Sequence, residues 1–147
     1  MTVEFENDAQ KEAFGKVSKW IREIYGEIAR QRSEGAVFLI PKGSTFANVA
    51  VFPWGDNEAI VRTSAIVVKG ASMTPELMKF LLTKNHGAIY GGFGIDDDGD
   101  IWFTHTIYGS TLDKEELRHS VMAVLYTADK LDDEIISRWG GTRALDE

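Results

Sequence analysis

The stretch Gly87–Gly109, GAIYGGFGIDDDGDIWFTHTIYG, decides the fold. Its cluster Asp96–Asp97–Asp98–Gly99–Asp100 separates two runs rich in aromatic and β-branched residues, the pattern of a hairpin tip. The side chains set the loop length. A two-residue turn at Asp98–Gly99 would oppose Ile95 to Trp102 and Phe93 to Thr104, mixing apolar with polar. A three-residue loop, Asp97–Asp98–Gly99, pairs Asp96 with Asp100, Ile95 with Ile101, Phe93 with Phe103 and Ile89 with Ile107. A slip of one residue turns every side chain to the other face, so the register with one wholly apolar face is expected. Gly99 then takes the left-handed position of such a loop.

The same register fixes the opposite face. It carries Tyr90, Gly92 and Gly94 on one strand, and Trp102, Thr104, Thr106 and Tyr108 on the other. Glycines across from Trp102 and Thr104 leave backbone uncovered, so either a ring lies over them or another chain does. Tyr90, Gly92, Gly94, Trp102 and Thr104 are therefore the candidate contact surface for a peptide or a second subunit. The competing reading makes Trp102 a cover for Gly94 within the hairpin.

The 147 residues suffice for one domain spanning residues 1–147, with its own core. No run approaches the length of an apolar membrane span. The opening MTVEFENDAQ lacks the basic and apolar regions of a secretory signal. Cysteine is absent, which excludes disulfides, thiol catalysis and thiolate metal sites and fits a cytoplasmic chain. The net charge of −7 is uneven: residues 1–95 hold 10 acidic and 11 basic side chains, residues 96–147 hold 13 and 5. So acidic a C-terminal third repels phosphate and argues against nucleic acid as partner. It suits a basic partner segment or, more simply, a solvated face.

From Asp8 to about Gln31, Phe14, Val17, Ile21, Ile24 and Ile28 form the stripe of an amphipathic helix, with Asp8 as N-cap. Gly15 and Gly26 suggest close approach to a sheet. Strands follow at Ala36–Pro41, Thr45–Trp54 and Glu58–Lys69. Neither long strand alternates cleanly, so partial cover on both faces is expected. Thr74–Pro75–Glu76 opens a second helix running to about Asn85, with Leu77, Phe80 and Leu81 apolar. After the hairpin, Ser110 and Thr111 begin a last helix, striped by Leu117, Val121, Val124, Ala128, Leu131, Ile135 and Trp139 and stopped at Gly140. The order α-β-β-β-α-β-β-α with tight turns predicts an α+β domain: two layers, a five-strand antiparallel sheet and helices on one face.

Chemistry is sparse. Aspartates at 96, 98 and 100 suggest a calcium loop, but glycine falls fourth rather than sixth, and Ile107 stands where the glutamate belongs. His86, His105 and His119 have no helical metal spacing between them. The glycines at 91, 92 and 94 open no helix that could hold a phosphate. No catalytic residue, metal ligand or cofactor is assigned. A small metal-dependent or acid–base enzyme using the Asp96–Asp100 loop is the alternative to a binding module.

Thr74–Gly141 resembles the YbjN family, the bacterial sensory transduction regulators. The resemblance rests on Leu82–Asn85, Gly92–Phe93–Gly94, Asp96, Asp98–Gly99–Asp100, Ile101–Trp102, Thr106, Leu112, Glu116–Leu117, Asp129 and Leu131–Asp132–Asp133. The element order is similar to that of the type III secretion chaperones, whose fold the family shares. The resemblance implies a cytoplasmic, non-enzymatic, chaperone-like or regulatory module that binds a peptide or protein, with homodimerisation as a further expectation. It supplies no catalytic residues.

Overall fold

The computed structural model describes residues 3–145. Helix α1 spans Asp8–Tyr25 and leads through a 3-10 turn, Gly26–Ile28, into the two-residue strand β1, Arg30–Gln31. Strands β2 (Val37–Lys42), β3 (Thr45–Trp54) and β4 (Glu58–Val68) form a meander. Then come α2 (Pro75–Gly87), β5 (Gly92–Ile95), β6 (Ile101–Tyr108) and α3 (Lys114–Trp139). All ladders are antiparallel, in the order β1-β2-β3-β4-β6-β5.

Among the described residues, six strands replace the expected five. The first helix was expected to reach Gln31, but Gly26 ends α1 by donating its N–H to Arg22 O, and Arg30–Gln31 then pair with Phe38 and Leu39. The stripe of α1 shifts accordingly. Ala13, Val17 and Ile21 are buried, whereas Ile28 lies beyond the helix and is exposed. Asn7, not Asp8, caps α1, its side chain accepting from Gln10 N. A Cβ on Gly15 would meet nothing within 4 Å, so that glycine marks no close approach.

The α2 signal holds, while the start of α3 shifts from the expected Ser110–Thr111 to Lys114. Thr74 caps α2 by accepting from Leu77 N, with Pro75 following. Asp113 caps α3 by accepting from Glu116 N. Along α3, Leu117, Val121, Val124, Ala128, Ile135 and Trp139 are buried and Leu131 is half-buried.

The core lies on one side of the sheet. Val49, Val51 and Val61 pack with α1 and the start of α3. Ala65, Val67, Ile101 and Phe103 pack with α2 and the rest of α3. Burial of each valine, isoleucine or phenylalanine among them stabilises the fold by roughly 1.5–3 kcal/mol. The alternating partners of these residues face away from the helices. Partial cover of both faces was expected, but the helices cover one. The alternation was masked in the sequence because the uncovered face is itself partly apolar.

Two ties close the fold. Lys69 and Thr142 exchange N–H···O bonds of 2.9 Å, returning the chain end to the end of β4. At the β2–β3 turn, the Ser44 hydroxyl lies 2.8 Å from Asp129 Oδ1 and 2.5 Å from Asp132 Oδ2 on α3.

Candidate partner-binding site

The hairpin adopts the expected register. Gly92 pairs with Thr104, Phe93 with Phe103, Gly94 with Trp102 and Ile95 with Ile101. At the tip, Asp96 N donates to Asp100 O, Gly99 N donates to Asp96 O, and Gly99 has φ +83°. The Asp96 carboxylate organises the loop. Its Oδ1 accepts from Asp98 N and Asp100 N at 3.0 Å each, and its Oδ2 accepts from Trp102 Nε1 at 2.8 Å. The indole bond, aided by the backbone N–H groups and outweighing desolvation, holds this carboxyl below the ordinary aspartate range. Asp100 Oδ1 accepts from Gly70 N at 3.1 Å. Carboxylate oxygens of Asp96, Asp98 and Asp100 lie within 4.8 Å of one another, but the bonds above already account for Asp96 and Asp100.

Trp102 leans toward the tip rather than over the glycines. A Cβ built on Gly94 would meet nothing within 4 Å, and one on Gly92 would meet only the Asn85 side chain, at 3.5 Å or more. The glycine floor is open. Its outer face continues across the sheet in bands. Phe52, Ile60 and Tyr108 form one apolar row, and Ile66, Trp102 and Gly94 form another. Between them run Arg62–Thr106 and Asn48–Ser64–Thr104. Arg62 Nε donates to Thr106 Oγ1 at 3.4 Å. Phe52 is 43% exposed and Tyr108 58% exposed.

Of the five expected contact residues, four share this face: Gly92, Gly94, Trp102 and Thr104. Tyr90 does not join them. The strand begins at Gly92, so Ile89 has no ladder partner. Gly91 turns the chain at φ +80°, and a Cβ there would strike Thr104 O at 2.6 Å and the Phe103 ring at 2.8 Å. Only glycine fits this approach. The turn carries Tyr90 to the helix side, where its ring meets His105 edge-on at 5.6 Å. His105 Nδ1 lies 2.7 Å from Ser120 Oγ on α3. Burial lowers the imidazole pKa, with Glu116 opposing.

Asn85 was quoted only as part of a motif, yet it closes the sheet. Its carboxamide accepts from Phe93 N at 2.6 Å and donates to Phe93 O at 3.3 Å. These are the bonds a seventh strand would make on the free edge of β5. At the opposite edge β1 covers part of β2, and Pro41 lacks an N–H to offer.

Residues 15–147 match the model of the family described as T3SS (YopN, CesT) and YbjN peptide-binding chaperone 1, TY-Chap1. The chain belongs to this family. The expected resemblance thereby extends over most of the chain, well beyond the C-terminal motifs that carried it. Solved structures share the TY-Chap1 chain's fold. The ExsC–ExsE complex is similar at 16% identity and TM-score 0.62, covering 83% of this chain and 95% of that one. The HopA1–SchA chaperone–effector complex is similar at 9% identity and TM-score 0.61, covering 84% and 96%. The Yersinia pestis type III secretion chaperone SycH, in complex with a stable fragment of YscM2, is similar at 12% identity and TM-score 0.54, covering 81% and 98%. No curated protein sequence matches. Membership makes the TY-Chap1 chain one of the peptide-binding chaperones. No helix among the described residues is long and apolar enough to cross a membrane.

Proposed function

We propose that this chain is a non-enzymatic chaperone module that holds a peptide segment of a protein partner against the uncovered face of its sheet. The open floor at Gly92 and Gly94, flanked by the Ile66–Trp102 row and by Thr104, carries the reading. An extended chain can approach glycine backbone closely, Trp102 offers rigid apolar area, and Thr104 offers a hydroxyl. The internal hydrogen bonds of Asp96 and Asp100 explain the acidic loop without catalysis. The solved relatives above include a chaperone–effector complex, which supports a protein as the partner.

Random-peptide display on the full chain tests this. Trp102→Ala should weaken the selected binder by about 2 kcal/mol or more. Gly92→Val should block it sterically with the fold intact. Unchanged affinity in both variants would overturn the assignment of the face. Sedimentation of the free chain distinguishes a peptide from a second subunit as the occupant.

A further inference from the structure

A second surface lies on the helix side. A groove of about 750 Å³ opens between the C-terminal half of α2, residues 87–90 and the middle of α3. Its floor is Phe93 and Phe103, stacked edge-to-face at 5.0 Å. Tyr90, Tyr126 and Ile89 line it, and Ile89 is 88% exposed. Beyond Thr83 on α2 a second depression carries Met78 and the exposed Leu82.

The charges here run against the rest of the molecule. The chain has 23 acidic and 16 basic side chains. Among the described residues, the charged side chains lining the two depressions are Lys84, Lys130 and Lys79, joined by His86, and no carboxylate lines either one. Lys84 Nζ sits 5.4 Å from the Phe80 ring centre and Lys130 Nζ sits 5.5 Å from that of Tyr126. These contacts hold both ammonium groups at the rim. Among the described residues, none of the three lysines forms a salt bridge. An apolar floor under an unneutralised positive rim selects a ligand of the complementary kind.

We propose that this groove binds an acidic, amphipathic segment of a protein partner, with its apolar side chains on Phe93 and Phe103 and its carboxylates at Lys84 and Lys130. The proposal rests on the chaperone reading but uses a different face from the one built around Trp102. The volume accommodates a few side chains, as ligand sites of roughly 300–1,000 Å³ do. A segment of a larger protein fits it, and a whole domain does not. Nucleic acid would also meet the lysines, but its backbone offers no aliphatic side chains to fill the Phe93–Phe103 floor.

The probes are two designed helical peptides with leucine at i, i+3 and i+7. One carries glutamate at the remaining exposed positions and the other lysine. Fluorescence anisotropy with the full chain should show the glutamate peptide binding at least about tenfold more tightly. Added salt should weaken it. The double variant Lys84→Glu/Lys130→Glu should invert the preference, while Trp102→Ala should leave it unchanged. Equal binding of both peptides, or indifference to charge reversal, would overturn the groove. Loss of the glutamate peptide in Trp102→Ala alone would place the segment on the sheet face, ending this proposal but not the chaperone reading. Failure of both peptides to bind would end it as well, leaving the display selection to judge the sheet face separately. If the double variant instead changes the sedimenting mass of the free chain, the occupant is a second copy and the proposal falls.

Discussion

The indole N–H of Trp102 donates to Asp96 across the mouth of the β5–β6 loop, at 2.8 Å. The ring that borders the open floor is thereby fixed by the residue that organises the tip. Trp102→Phe keeps apolar area and removes this donor, the largest contributor to the lowered Asp96 pKa. The carboxyl should then titrate at higher pH, nearer the ordinary aspartate value. Side-chain carboxyl NMR across the acid range measures this, and an unmoved midpoint would refute it. The stability that the ionised Asp96 contributes is present above the unfolded pKa. It disappears as pH falls through the lowered folded value.

Asn85 imitates a strand at Phe93. Asn85→Ala should leave the Phe93 N–H and C=O without protein partners and cost about 1–3 kcal/mol. Amide exchange at Phe93 should accelerate. The bared edge should also pair with other edges, so association should rise with concentration. Urea unfolding together with light scattering checks both effects. Unchanged values in both would show that the carboxamide does not guard the edge.

Ser44 has one hydroxyl proton and two close carboxylate oxygens, on Asp129 and Asp132. That proton serves only one of them fully, so the two carboxylates compete for it. Asp132, only 1% exposed, is the one whose pKa burial raises, against the hydrogen bond from Ser44 and the charge of Arg143. Asp133 stands beside it and pairs with Arg143. A raised folded pKa means stability that is full below the unfolded value of about 3.9 and is lost as pH rises through the folded value. Asp132→Asn copies the protonated acid. Its stability relative to the parent should therefore increase from acid to neutral pH, as urea unfolding at several pH values would show. A pH-independent difference would contradict this.

The helix stripes also separate by test. Ile21→Asp or Ile135→Asp puts a charge among fully buried neighbours and should abolish cooperative unfolding. Ile28→Asp, at a site 55% exposed, should change stability by no more than about 0.5 kcal/mol. Thermal melts monitored by circular dichroism decide the matter.

The hairpin register was legible because Ile95, Phe93, Phe103 and Ile101 share one parity and only one slip makes them a face. The cap at Thr74 was legible as local chemistry, whereas Ser110 and Thr111, equally good caps by type, drew the start of α3 ahead of the true cap at Asp113. The strand Arg30–Gln31 was not, since two charged or polar residues carry no periodicity and their pairing is set by β2. Tyr90 was misplaced because Gly91, read as strand interior, forms the turn that reverses its side. The open sheet face was half-legible. The glycines facing Trp102 marked it, but whether the ring lay over them depended on the Asp96 bond. The groove left no linear signal, because Lys84 and Lys130 stand 46 positions apart on different helices.

In the sheet, β4 lies between β3, its neighbour in sequence, and β6, which begins 33 residues after β4 ends. At synthesis rates of about 5–20 residues per second, that interval lasts a few seconds. During it the β2–β4 meander can form on the ribosome with one long edge bare and with Val61, Ala65 and Val67 still lacking α3. A meander formed at that stage would present the same bare edge and apolar face that a chaperone covers in its clients.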